Sequence, residues 1–301
     1  MHTRPTLRTS AFKQVDVFTA EPMRGNALAV VFDAEGLSDA AMQAVAAWTN
    51  LSETVFVLPP TAAGADYRIR IFTPRSELPF AGHPSVGTAH ALLESERIAR
   101  KPELVQECLA GLLPVSVEGG GAERRIFVRS PTTKLHAPDA SLAEAARAAL
   151  KLGHGKLYAR VADNGPKWLL CDIGEAAHVR TLAPDFAAVA EVTRELDVLG
   201  MSVFGRSEEP DAPFGLVVRT FCPRDGIPED PVTGSANAAI GAHLWASGAL
   251  AAIGHRYRVS QGREVGRDGY VDVRVDEETG AVDIGGSCVT CIDGTLALPS
   301  L

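Results

Sequence analysis

The chain is short of several things that would have narrowed its function at once. Its five cysteines, Cys108, Cys171, Cys222, Cys288 and Cys291, are odd in number and scattered, so they form no disulfide framework. Cys288-Val289-Thr290-Cys291 imitates a redox or metal pair, but it sits in a strand-like run. Residues three apart on a strand point to opposite faces, and no second pair accompanies them. There is no excess of positive charge: 29 Lys and Arg against 37 Asp and Glu give −8, which excludes nucleic acid and anionic membranes as main partners. No apolar run approaches the ~20 residues that span a bilayer. The first ten residues, MHTRPTLRTS, are basic and polar without an apolar stretch, unlike a secretory signal. A cytoplasmic location is expected.

Catalytic signatures are missing too. Gly119-Gly120-Gly121 lacks the Gly-Lys-Ser/Thr of a phosphate loop. No Gly-x-Ser-x-Gly elbow is present, no dinucleotide fingerprint follows a strand, and the eight histidines show no metal spacing. No cofactor and no metal are expected.

What the chain does have is a stretch written twice. His83-Pro84-Ser85-Val86-Gly87-Thr88-Ala89 recurs as Asp230-Pro231-Val232-Thr233-Gly234-Ser235-Ala236, and upstream Phe72-Thr73-Pro74-Arg75 matches Phe221-Cys222-Pro223-Arg224. An echo at about half the chain length implies two similar halves. Each copy reads as strand, turn and helix start, with Pro84 and Pro231 at the first helical position and a buried apolar run behind it. A helix start is an anion site, so the two starts are expected to hold a small carboxylate between them. Asp before Pro is commonly just an N-cap. His83 in the matching slot is a poor cap, and titratable groups at both positions favour a functional reading.

The remaining pattern is many strands and few helices. Strands are expected at Phe12–Phe18, Ala27–Phe32, Glu53–Leu58, Tyr67–Phe72, Leu112–Val117, Ile126–Arg129, Trp168–Ile173, Phe214–Phe221, Tyr257–Val259, Tyr270–Val275, Val282–Ile284 and Cys288–Ile292, after a loose tail at residues 1–10. Ser38 should cap a helix closed by Asn50 in a left-handed turn. Ser141 should cap an Ala-rich helix, and Pro184–Leu199 is amphipathic. Strands without strict strand–helix alternation indicate an α+β fold with largely antiparallel sheets. The halves are expected at residues 1–133, joined by a C-terminal strand 290–301, and at residues 134–289. Glu53 opens an apolar strand, where a partly desolvated carboxylate would have a raised pKa suited to proton transfer. On position alone the plainer reading is a solvent-facing strand end.

These words resemble the phenazine-biosynthesis PhzF-like family: Asp16-Val17-Phe18-Thr19 with Gly25-Asn26, Asn50-Leu51-Ser52-Glu53-Thr54, Leu78-Pro79-Phe80-Ala81-Gly82-His83-Pro84, Glu229-Asp230-Pro231-Val232-Thr233-Gly234-Ser235-Ala236, and Gln261-Gly262, Gly266-Arg267 and Gly285-Gly286. The resemblance spans nearly the whole chain. It implies a diaminopimelate-epimerase-like fold, two pseudo-symmetric domains that each wrap a barrel-like, mostly antiparallel sheet around a central helix. It implies a cofactor-independent isomerase similar to trans-2,3-dihydro-3-hydroxyanthranilate isomerase, acting on a small carboxylate-bearing, cyclic substrate, and a homodimer. Glu53 becomes the acid/base, with His83, Asp230 and Ser235 lining the site and Asn26, Gly82 and Gly234 binding substrate. This reverses the positional reading of Glu53. An amino-acid epimerase without the two-thiol pair of that fold, or a non-catalytic binding protein, are the alternatives. Ser85 and Asn237 depart from the commoner Thr and His, which leaves the substrate open.

Overall fold

The computed structural model describes residues 7–207 and 213–299. The chain forms two compact units, Met1–Val128 with Gly286–Leu301, and Arg129–Gly285.

In the first unit, Leu7–Val17 pairs antiparallel with Cys288–Pro299 on one side and Asn26–Val31 on the other. Asn26–Val31 runs parallel to Glu53–Leu58, the crossover being helix α1, Asp39–Thr49. Tyr67–Phe72 follows antiparallel, then Glu103–Cys108 parallel to it, then Gly111–Glu118 and Arg125–Arg129, both antiparallel. The second crossover contains helix α2, Gly82–Glu94. The sheet closes on α2, which touches Leu7–Val17, Asn26–Val31, Glu53–Leu58, Gly111–Glu118 and Cys288–Pro299. Every residue from Gly82 to Leu93 is buried. Its small residues allow this: a Cβ on Gly87 would lie 2.7 Å from both Leu28 Cδ2 and Val17 Cγ2. Burying Val86, Leu92 and Leu93 contributes about 1.5–3 kcal/mol each.

The second unit repeats the plan. Lys134–Leu135, Tyr158–Asp163 and Lys167–Glu175 are successive antiparallel neighbours. Gly200–Arg206 runs parallel to Lys167–Glu175. The crossover carries α4 (Ala176–Arg180) and α5 (Phe186–Glu195), after α3 (Ala140–Ala149). Leu216–Cys222 is antiparallel, and Arg256–Gln261 is parallel to it across α6, Gly234–Ala246. Gly269–Val275 and Val282–Gly286 complete the order antiparallel. Helix α6 is buried on nearly all sides and packs on Tyr158–Asp163, Lys167–Glu175 and Gly269–Val275. The architecture is therefore mixed α+β and mostly antiparallel, with parallel pairings in both units.

Local signals hold where the chemistry is local. Ser38 caps α1 by accepting from the Ala41 N–H, and Asn50 ends it at φ 53°. Other readings need correction. The cap of α3 is Asp139, whose carboxylate accepts from the Ser141 N–H, so the helix starts two residues before the expected position. The amphipathic stretch 184–199 is helical only over Phe186–Glu195. Of the expected tail, residues 1–6 lie outside the described residues, and from Leu7 the chain is strand because Cys288–Pro299 runs alongside it. That pairing also carries the last strand seven residues past Ile292. Its register shifts at Gln14/Val15, so Cys291 falls at a bulge, where strict alternation no longer applies. All five cysteines are free thiols.

The two helix starts also differ from expectation. Helix α2 begins at Gly82 behind Ala81, so His83 and Pro84 are its second and third residues. Helix α6 begins at Gly234 behind Thr233, so Pro231 precedes the helix. Neither proline is at the first helical position. Pro84 is tolerated because the first four N–H groups of a helix have no intrahelical partner. Pro231 is followed by Val232 and by Thr233 in extended backbone.

Candidate active site

Three sequence words converge in the first unit. Leu7–Val17 ends at Phe18, a fully buried aromatic at φ 66°, a conformation costly for such a residue and held by its packing. The loop returns through Gly25, whose N–H donates to Asp16 Oδ2 at 3.3 Å. Only glycine fits there, since a Cβ would stand 2.2 Å from the Val17 carbonyl oxygen. Asn26 opens the next strand, buried, opposite Val17. Its Oδ1 accepts from the Ser52 hydroxyl at 3.3 Å. Glu53 follows, in register with Leu28.

Beneath α2 runs a directional chain of buried hydrogen bonds. Tyr67 Oη donates to Gln106 Oε1 (3.3 Å), Gln106 Nε2 to Ser85 Oγ (3.0 Å) and Ser85 Oγ to the Ala81 carbonyl (2.9 Å). The chain fixes the first turn, and so fixes His83. His83 Nε2 comes within 3.5 Å of Glu53 Oε2, with side chains 7% and 16% exposed. Both atoms are buried and neither has a hydrogen-bond partner among the described residues. Glu53 is therefore not a solvent-facing strand end.

Burial sets the charge state of this pair. Desolvation pushes the Glu53 carboxyl up to about 7, against a weaker opposing hydrogen bond from Ser52. Desolvation lowers His83 to about 3, so the imidazole is neutral at physiological pH. A carboxyl poised near neutrality beside a neutral imidazole can take a proton and give it back.

The other sequence-predicted residues lie in the second unit. Asp230 ends the strand Ile227–Asp230, and its Oδ2 accepts from Thr233 Oγ1 at 2.6 Å. Gly234 and Ser235 open α6, and Asn164 Nδ2 donates to the Ser235 carbonyl at 2.9 Å. Neither α2 nor α6 has a side-chain cap. Sequence reasoning missed Ser52, Gln106 and Gln261 as supporting groups. It also missed a pair of ion pairs, Arg70–Glu77 and Arg219–Glu229. The signal for these was present, because the repeat extends upstream as Arg-x-Phe, Arg70 to Phe72 and Arg219 to Phe221.

The profile of phenazine biosynthesis-like proteins matches residues 15–294. The chain belongs to that family. It is 34% identical over 287 residues to the trans-2,3-dihydro-3-hydroxyanthranilate isomerase of Pseudomonas aeruginosa, covering 93% of this chain and 96% of that protein. It is 38% identical over 293 residues to the Schizosaccharomyces pombe protein named antisense-enhancing sequence 1, covering 94% and 97%. Among solved structures, a PhzF-family protein of Bacillus anthracis superposes with a TM-score of 0.83 at 27% identity over 96% of this chain and 99% of that one. A hydroxyproline epimerase of Agrobacterium vitis, at TM-score 0.66 and 18% identity over 99% and 95%, shares the epimerase-like fold alone. This member of the phenazine biosynthesis-like family is an isomerase.

Three of the five thiols, Cys108, Cys171 and Cys288, are poorly suited to racemase chemistry. Burial holds the Cys108 and Cys171 thiols above their usual range and pushes Cys288 up to about 12, which disfavours the thiolate.

Proposed function

We propose that the chain moves a proton between two carbons of a small, cyclic, carboxylate-bearing substrate, with Glu53 as the single acid/base. The observation that carries this is the Glu53–His83 pair, two buried and unpartnered titratable atoms 3.5 Å apart, with the carboxyl poised at about 7. Glu53 as carboxylate takes the proton from one carbon: the C–H bond breaks and an O–H bond forms. The electron pair moves through the ring's own double bond, and the carboxyl returns the proton to another carbon. Nothing is oxidised or reduced, so the step calls for no cofactor and no metal. Neutral His83 orients a hydroxyl or amino group of the ligand. The start of α2 at Gly82, with Asn26, which is bonded to Ser52 next to Glu53 in the chain, receives the substrate carboxylate. Asp230, Gly234 and Ser235 are assigned substrate binding and proton relay. The similarity to a trans-2,3-dihydro-3-hydroxyanthranilate isomerase supports that compound or a close relative as substrate. A cytoplasmic homodimer belongs to the same proposal, and light scattering on the purified chain tests its assembly.

The experiment is turnover of trans-2,3-dihydro-3-hydroxyanthranilate and a panel of cyclic amino and hydroxy acids in deuterium oxide, by wild type and Glu53→Gln. Wild type should yield product labelled at one carbon, incompletely, because one carboxyl carries the same proton across. Glu53→Gln acting at the wild-type rate would overturn the mechanism. Label washed into an otherwise unchanged amino acid by wild type alone would replace isomerisation with racemisation.

A further inference from the structure

Below Asp230 lies a side chain that no part of the proposed chemistry uses. Gln261 ends the strand Arg256–Gln261 and is fully buried. Its amide makes four hydrogen bonds. Oε1 accepts from the Thr233 N–H at 3.2 Å and from Asn237 Nδ2 at 3.0 Å. Nε2 donates to the Asp230 carbonyl at 3.1 Å and to Thr233 Oγ1 at 3.0 Å. The orientation of the amide is forced, because a backbone N–H can only donate and a carbonyl can only accept. Asn237 agrees, its Nδ2 also facing the Thr233 carbonyl at 2.8 Å.

The consequence falls on Thr233. Among the described residues its buried hydroxyl has two side-chain partners, Gln261 Nε2 and Asp230 Oδ2. The first can only donate, so the hydroxyl proton must go to the second. The neighbouring Gly262, at φ 98°, lets the chain close over Pro231, since a Cβ there would lie 2.5 Å from the Pro231 carbonyl oxygen. The same device recurs in the first unit, where Gln106, on the strand of matching topology, donates to Ser85 and directs that hydroxyl to the Ala81 carbonyl. There the chain ends on backbone; in the second unit it ends on a carboxylate.

We propose that Gln261 is a positioning residue for Asp230: it locks the Thr233 hydroxyl as a donor to Oδ2, so that this oxygen is kept as an acceptor and carries no proton that Asp230 relays. This rests on Asp230 handling substrate, as proposed above.

The test is a carbon-13 NMR titration of aspartate-labelled protein, with the Asp230 carboxyl assigned by its loss in Asp230→Asn. In Gln261→Met the hydroxyl is free to turn away, and Asp230 should titrate about one unit higher. Thr233→Val should raise it at least as far, and Thr233→Ser should restore the wild-type value. Should Gln261→Met fail to fold, the Thr233 pair carries the test. An Asp230 titration unmoved in Thr233→Val, or in folded Gln261→Met, overturns the assignment. Turnover of trans-2,3-dihydro-3-hydroxyanthranilate separates the two readings. If Asp230→Asn loses turnover while the titration stays unmoved, only the Gln261 assignment fails. If the titration moves and Asp230→Asn keeps wild-type turnover, Asp230 is no substrate-handling group, and its positioning has no functional meaning.

Discussion

Arg219 grips Glu229 with both prongs of its guanidinium, Nε to Oε1 at 2.9 Å and Nη2 to Oε2 at 2.7 Å, with side chains only 6% and 4% exposed. Its Nη1 donates to the Val179 and Leu182 carbonyls, and its plane lies 5.1 Å from the Phe221 ring. Arg70 repeats the arrangement in the other unit, forked onto Glu77 at 2.6 Å and 5.1 Å from the Phe72 ring. In each case the pair ties a long strand to the short return segment that leads to a buried helix. Glu229 immediately precedes Asp230, so this clamp sets where the Asp230 backbone lies.

Truncating one partner of the inner clamp should therefore be severe. Arg219→Ala leaves Glu229 buried and uncompensated, at a cost of about 3–5 kcal/mol. Arg70→Ala should cost nearer ~1 kcal/mol, because that pair is more than a fifth exposed on both sides and water screens it. Urea denaturation of the two variants checks the order; equal losses would mean that burial does not govern the pair.

Glu53→Gln should reduce kcat by more than the ~10²–10⁴-fold typical of acid–base assistance, since in the proposed mechanism Glu53 alone takes the carbon-bound proton. The same substitution should stabilise the fold at alkaline pH. With Glu53 raised to about 7 in the folded chain, the folded state holds a proton that the unfolded state has already released. Stability contributed by the protonated carboxyl is full below the unfolded pKa and is lost as pH rises through about 7. The variant should thus match wild type near pH 4 and exceed it at pH 8 by on the order of 3 kcal/mol. Melting curves at both values decide it, and a wild-type advantage at pH 8 would contradict the desolvated carboxylate.

The pH dependence of kcat/KM should rise along one limb with a midpoint near 7, where Glu53 ionises. His83, lowered to about 3, should contribute no limb between pH 5 and 8. His83→Ala should cost less than Glu53→Gln and leave the limb in place. A rate profile that loses its limb in His83→Ala would assign the ionisation to the imidazole instead.

Two glycines distinguish rigid from yielding neighbours. Gly25→Ala would drive a methyl against the Val17 carbonyl at 2.2 Å, whereas Gly87→Ala meets only the side-chain ends of Leu28 and Val17 at 2.7 Å. Gly87→Ala should cost about 1–3 kcal/mol, as overpacking does, and Gly25→Ala more, because backbone cannot step aside. Thermal melting of both variants measures the order.

The amino-acid sequence by itself determined the features whose causes lie within a few residues. Ser38 and Asn50 bound α1 because a cap and a left-handed terminator are local chemistry. The strands Glu53–Leu58 and Tyr67–Phe72 follow from their apolar and β-branched pattern. The duplicated words announced a duplicated plan, and the family resemblance named Glu53 and His83 together. Tertiary structure decided the rest. A carboxylate at a strand mouth is titrated by what covers it, and the cover of Glu53 comes from α2, some thirty residues further on. Where α2 and α6 begin was set by Ser85 with Gln106 and by Thr233 with Gln261, contacts between a helix start and a strand distant in sequence that no helix-start rule registers. The bulge at Cys291 belongs to the pairing with Leu7–Val17, at the far end of the chain. Burial and long-range hydrogen bonding fix these positions, and both depend on residues distant in sequence that only the folded chain brings together.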